Sequence, residues 1–164
     1  MKILIVNIFL DAKSGGGTAE RTFQLIRALL KLGQDCKVLA LDLKYKNEIY
    51  NQIQKAEVTV LPCINKRYYF PRLSVRRIAS AVKNVDVIHL MNHWSILNAV
   101  VYFIARLYKK PYVICPAGSL CHYGRSQILK KLYDLIIGRR IIKNASYCVA
   151  ISQNEYHDFY KYKV

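Results

Sequence analysis

The chain has 164 residues, 53% of them hydrophobic, and a formal net charge of +16 at pH 7. That length allows one domain with a real core, and the apolar content excludes intrinsic disorder. The charge calls for a solvated cationic surface or for an anionic partner: phosphate, acidic lipid or nucleic acid.

In chain order, "KILIVNI" (2–8) is a continuous apolar run, as in a strand buried on both faces. It is short for a signal peptide and no small-residue cleavage site closes it. Residues 18–32 read as a helix, with Phe23, Ile26, Leu29 and Leu30 on one face and Gly33 as the stop. "CKVLALD" (36–42) is a second strand and "VTVLP" (58–62) a third, ended by Pro62. "PRLSVRRIASAVK" (71–83) is a basic helix, "DVIHLMN" (86–92) a fourth strand, 95–110 a mostly buried helix, and "YVICP" (112–116) a fifth strand. From 126 to about 143 a helix carries Ile128, Leu132, Leu135 and Ile136 on one face, with Lys130, Lys131, Arg139, Arg140 and Lys143 elsewhere. "SYCVAIS" (146–152) is strand six, and a short helix closes the chain.

The longest uncharged run, 87–105, is long enough to raise a transmembrane reading. His89, Asn92, His93, Ser95 and Asn98 interrupt it, so a buried strand followed by a helix explains it better. Five cysteines show no C-x-x-C pair, which points to reduced thiols. Between residues 58 and 154 the only acids are Asp86 and Asp134, against fifteen Lys and Arg.

Strands alternating with helices predict an α/β fold: a doubly wound, mostly parallel, Rossmann-like sheet of about six strands in a single domain, 1–164. Ligands of such sheets bind at the carboxyl ends of the strands. Gly15, Gly16 and Gly17 fall there, between strand one and helix one, where bare backbone admits a phosphate or a hydroxyl-rich ligand. The competing reading is a flexible turn feeding a cap at Thr18. "GGGTAE" lacks the G-x-G-x-x-G spacing of a dinucleotide fingerprint, although Asp42 ends strand two as the ribose-binding acid of such enzymes does. No Walker loop occurs.

Four stretches, in order, resemble the N-terminal domain of GT-B glycosyltransferases of the family-four type: "SGGGTAERTFQLIRALLKLGQDCKVLALD", "DVIHLMNHWSILNAVVYFIARLYKKPYVICPAGSL", "LKKLYDLIIGRRIIKNASYCVAIS" and "SQNEYHDF". The resemblance implies the acceptor-binding half of a retaining, hexosyltransferase-type enzyme of cell-surface polysaccharide synthesis. It implies a substrate surface of Gly15, Gly16, Gly17, Arg21, Asn92, His93, Gly118 and Ser119, with His93 and His89 as catalytic candidates and Ser152 and Glu155 as caps of the last helix. It implies no metal and no resident cofactor, the nucleotide-sugar being a co-substrate held mainly by a second domain. The implied partner is a glycan or lipid-linked acceptor; the second domain is open to three readings, lost, left out of these residues, or separately encoded and then itself a partner.

Two departures stand out. The family commonly writes the loop after strand five as P-H-G; here it is "CPAGSL", with Ala117 in the histidine's place and backbone donors at Gly118 and Ser119. The family's paired-glutamate donor motif is absent, Glu20, Glu48, Glu57 and Glu155 lacking its spacing, so the donor-binding domain is expected to lie outside these residues and the chain to be inactive alone. Lys66, Arg67, Arg72, Arg76 and Arg77, with Lys130, Lys131, Arg139 and Arg140, flank aromatic stretches such as "RYYFPR". They predict a cytoplasmic protein held peripherally on the anionic inner face of the plasma membrane. Nucleic acid is disfavoured, since no binding motif for it occurs. Two other readings stay open: a nicotinamide-binding Rossmann oxidoreductase domain, and a non-catalytic basic module that binds membranes.

Overall fold

The computed structural model describes residues 1–10, 12–43, 53, 55–72, 74–120 and 126–164, with backbone alone at 12–14. Cys121 and Glu48 lie outside the described residues. The chain runs β1 (Lys2–Val6), α1 (Ala12–Lys31), β2 (Asp35–Asp42), β3 (Glu57–Asn65), β4 (Phe70–Pro71), α2 (Val75–Lys83), β5 (Val87–Met91), α3 (Ile96–Leu107) and β6 (Tyr112–Cys115). It continues through α4 (Gln127–Tyr133), a π-helical turn (Asp134–Gly138), α5 (Arg139–Lys143), β7 (Tyr147–Cys148) and α6 (Gln153–Tyr160).

The strands form one sheet in the order β4-β3-β2-β1-β5-β6-β7. Every neighbouring pair is parallel except β3 with β4. The six parallel strands have the doubly wound order, and its direction reverses between β1 and β5. There Ile5 lies opposite Val38 on one side and His89 on the other.

Alternation along β1 feeds two cores. Leu4 and Val6 pack with Ile78, Leu97, Val101 and Ile141 on one face. Ile3 and Ile5 pack with Phe23 and Ile26 of α1 on the other. Each such buried side chain contributes roughly 1.5–3 kcal/mol. The predicted stop of α1 is present: Gly33 takes φ 72°, and the backbone N–H groups of Gln34 and Gly33 close back on Leu29 and Leu30. The four cysteines among the described residues are free thiols.

The structure corrects four expectations. β3 continues past Pro62 to Asn65, because the proline lacks only an N–H and its carbonyl still accepts from Arg72 N (2.6 Å). The two-residue β4 is too short to leave a sequence pattern. Strand six shrinks to Tyr147–Cys148 at the sheet edge, although Val149 N still reaches Ile114 O (2.8 Å).

The fourth correction concerns the helix over 127–143. Its buried line is Asp134, Ile137, Gly138, Ile141 and Ile142. Ile128, Leu132, Leu135 and Ile136 stand in solvent, Ile128 at 82% and Leu135 at 76% exposure. The helix is apolar on more than one side, so periodicity cannot choose the buried face. The π turn also adds a residue to one turn and rotates everything after it.

Candidate functional site

A chain of buried amides joins β1 to β5 where the strand order reverses. Asn7 ends β1 with no exposed surface. Its Nδ2 donates to Thr22 Oγ1 (2.7 Å), and its Oδ1 accepts from Asn92 Nδ2 (3.0 Å) and Phe9 N (3.3 Å). Thr22 hands its own proton to the Thr18 carbonyl (2.9 Å). Asn98 Nδ2 donates to the carbonyls of Met91 and Asn92, each at 2.9 Å, while Ser95 Oγ caps α3 by accepting from Asn98 N (3.2 Å). Asn92 sits at φ 66°, a conformation asparagine tolerates better than most residues. Buried polar groups cost free energy unless paired, so this network fixes the loops at the carboxyl edge relative to one another.

The three glycines above this floor play different parts. A Cβ on Gly15 would run into Phe9 Cβ and come within 2.7 Å of Ala19 Cβ, so Gly15 is there for close packing. Gly16 has φ 53° and ψ −139° and breaks the helix in two; that backbone region is open essentially to glycine alone. Around Gly16 and Gly17 a Cβ would meet nothing within 4 Å among the described residues. The helix resumes after Gly16 with its positive dipole end at the carboxyl edge of the sheet.

Arg21, one turn further on, is exposed, and its charge acts on both His89 in the middle of β5 and Cys115 at the end of β6. His89 is driven down to about 4, first by burial and then by the Arg21 guanidinium, so its imidazole is neutral at pH 7. Its Nε2 is buried with no hydrogen-bond partner among the described residues. Burial pushes the Cys115 thiol up, against the opposing pull of Arg21.

The loop after β6 turns through two left-handed residues, Ala117 (φ 54°) and Gly118 (φ 83°). The donors expected to be free there are engaged. Gly118 N donates to Glu155 Oε1 (2.6 Å), and Ser119 N and Oγ both point back to the Pro116 carbonyl. Glu155, 2% exposed, also accepts from Ile151 N (2.9 Å) through Oε2, and its own N–H is capped by Ser152 Oγ (3.2 Å). The expected capping pair is thus present, and its glutamate reaches across to β6 as well.

His93 differs most from expectation. A histidine in a loop was read as open to ligand, yet its side chain is fully buried. Nε2 lies 2.7 Å from Asp134 Oδ1, and Tyr162 OH donates to Asp134 Oδ2 (2.7 Å). Trp94, Tyr133 and Tyr162 surround the ring edge-on, and His93 N donates to Ser119 Oγ (3.0 Å). The structure therefore gathers Gly16, Gly17, Arg21, Asn92, Gly118 and Ser119 at the carboxyl edge, puts His89 beneath Arg21, and places the His93 ring inside. Asn7, Thr22, Asn98, Asp134 and Tyr162 were not singled out from sequence. Asp134 had left a signal, as one of two acids in a long basic stretch.

A cavity of about 410 Å³ lies at the opposite, amino edge of the sheet, lined among others by Arg106, Lys109, Lys110, Tyr112 and Asn144. Among the described residues no group of three or more His, Cys, Asp and Glu is placed to hold a metal. No helix among them is long and apolar enough to cross a membrane.

Three solved structures share the fold. HepE (Alr3699) of Anabaena, in complex with UDP and glucose, is 17% identical with a TM-score of 0.66, over 99% of this chain and 41% of its own. A Listeria monocytogenes protein assigned as a UDP-N-acetylglucosamine 2-epimerase is 9% identical at 0.66, over 99% and 42%. MurG of Acinetobacter baumannii is 11% identical at 0.55, over 93% and 41%. The chain thus spans less than half the length of each. No curated protein matches it by sequence. The model of the glycosyl transferase 4-like domain matches residues 16–163, nearly the whole chain from the second glycine onward. By that match and by its doubly wound sheet, the chain belongs to the glycosyl transferase 4-like family and is an N-terminal domain of the GT-B type.

Proposed function

We propose that this domain is the acceptor-binding half of a retaining glycosyltransferase, which moves a sugar from a nucleotide-sugar to a hydroxyl of a glycan or lipid-linked acceptor in cell-surface polysaccharide synthesis. The observation that carries this reading is the open glycine backbone at Gly16 and Gly17, beside Arg21 and above the Asn7–Asn92 floor. A helix start favours anionic or hydroxyl oxygens, and a guanidinium one turn away adds charge-assisted bonds to phosphate. These groups stabilise negative charge that develops on a leaving diphosphate. His89, neutral at pH 7 and a weak base at about 4, adds no competing positive charge beneath that surface.

HepE binds UDP and glucose in its solved complex, which supports a nucleotide-sugar as co-substrate. In this reading a second domain carries most of the donor contacts, and neither a metal nor a resident cofactor is needed. Transfer requires both substrates in reacting geometry, so the 164 residues alone bind acceptor but do not turn over.

Titration of a lipid-linked oligosaccharide into the chain, by calorimetry in detergent, tests the site. Arg21→Gln is expected to weaken binding about tenfold, the worth of a charged hydrogen bond, with the melting temperature unchanged. Equal affinity in parent and variant would remove Arg21 and the glycine edge from the site.

A further inference from the structure

The face of the 127–143 helix that sequence periodicity marks as apolar is turned to solvent. Ile128, Leu129, Leu132, Leu135 and Ile136 are all exposed, within nine consecutive positions. Isolated apolar residues on a surface are ordinary, whereas a contiguous stripe of large aliphatics marks an interaction surface. The helix is continuous through α4, the π turn and α5 and spans about 25 Å.

Charge decides what covers it. Lys131, Arg139, Arg140 and Lys143 are exposed on the same helix. Its one acid, Asp134, is turned inward onto His93 and Tyr162, so the outer surface carries aliphatic and cationic groups and no carboxylate. A second copy would set the same cations against themselves, in a chain already at +16. An apolar stripe edged by Lys and Arg is what an anionic lipid interface takes up, with the aliphatics below the headgroups and the cations among them.

We propose that this helix docks the domain on the anionic leaflet of a membrane, its aliphatic stripe inserted and Lys131, Arg139 and Arg140 at headgroup level. The stripe shares no residue with the glycine edge, so variants in it test this inference separately from the acceptor site.

The test is co-sedimentation of the 164-residue chain with vesicles of phosphatidylcholine alone and of phosphatidylcholine with phosphatidylglycerol. Trp94, the only tryptophan, meets Tyr133 of the helix edge-on and serves as a second readout by fluorescence. The parent is expected to bind anionic vesicles at least about tenfold more tightly than neutral ones, and less so as salt rises. The double variant Ile128→Gln with Leu135→Gln, both at exposed positions, should lose about tenfold or more while melting at the parent's temperature. Arg139→Gln with Arg140→Gln should flatten the salt dependence. Equal binding to both vesicle types, full binding by the aliphatic variant, or no binding at all would overturn the proposal. So would a concentration-dependent dimer, seen by sedimentation without lipid and abolished by the aliphatic variant; it would assign the stripe to a second copy.

Discussion

His93 Nε2 and Asp134 Oδ1 lie 2.7 Å apart with both side chains out of solvent, tying the loop after β5 to the first residue of the π turn. Gly138 makes the pair possible. A Cβ there would run into Asp134 Oδ1 and come within 2.9 Å of both His93 Nε2 and Tyr133 Cδ1. Gly138→Ala should therefore cost about 1–3 kcal/mol, despite alanine's better helix propensity. Asp134→Ala should cost more, roughly 3–5 kcal/mol, because it leaves a buried histidine and the Tyr162 hydroxyl without their partner. Urea unfolding of both variants measures this. A Gly138→Ala protein as stable as the parent would mean that the pair is not seated on the glycine.

The neighbouring glycines of the carboxyl edge should separate stability from binding. Gly16→Ala forces a side chain into φ 53° and ψ −139° and should cost about 1–3 kcal/mol. Gly17→Ala adds a methyl to helical backbone in open space, and should leave stability unchanged or raise it by about 0.5–1 kcal/mol. The same methyl projects over the proposed acceptor surface and should weaken acceptor binding. Melting temperature and acceptor titration, measured together on the two variants, give the comparison.

Glu155 joins two segments far apart in sequence, accepting from Gly118 N and from Ile151 N. Glu155→Ala removes both of these hydrogen bonds, at about 0.5–1.5 kcal/mol each. Amide exchange at Gly118 and Ile151 should accelerate together in that variant, whereas acceleration at Ile151 alone would reduce the residue to a helix cap.

His89 predicts an acid-side loss of stability. Its folded value of about 4 lies below the ordinary 6.5 of an unfolded chain. Between those values the unfolded state binds the extra proton, so stability falls as pH drops from about 6.5 towards 4, then levels off. The loss is on the order of 3 kcal/mol. His89→Gln should remove that part of the slope. Parallel pH profiles for parent and variant would show that His89 titrates normally.

The parts of the fold that rest on periodicity and punctuation were legible in the sequence. Continuous apolar runs located the six parallel strands, and Gly33 marked the end of α1. Long-range pairing left a fainter trace. Asn7 reads as one polar residue at the end of a strand until Asn92, 85 positions on, meets its amide. His93 reads as a loop histidine until Asp134, from a helix 41 positions away, closes over it. The helix over 127–143 offered two apolar faces, and only packing could choose the one with Gly138, Ile141 and Ile142. The three glycines were visible as a loop at a strand end, but their division into close packing, a special φ and open backbone depends on Phe9 and on what stands near each.

The central claim is that the carboxyl edge around Gly16, Gly17 and Arg21 binds acceptor while donor chemistry needs a second domain. The most direct measurement is a transfer assay on the 164-residue chain, with a panel of labelled nucleotide-sugars and a lipid-linked acceptor, run beside acceptor binding under the same conditions. The account predicts saturable acceptor binding that Arg21→Gln weakens, and no labelled product from the chain alone. Product formed by the isolated chain, or acceptor binding indifferent to Arg21, would contradict it.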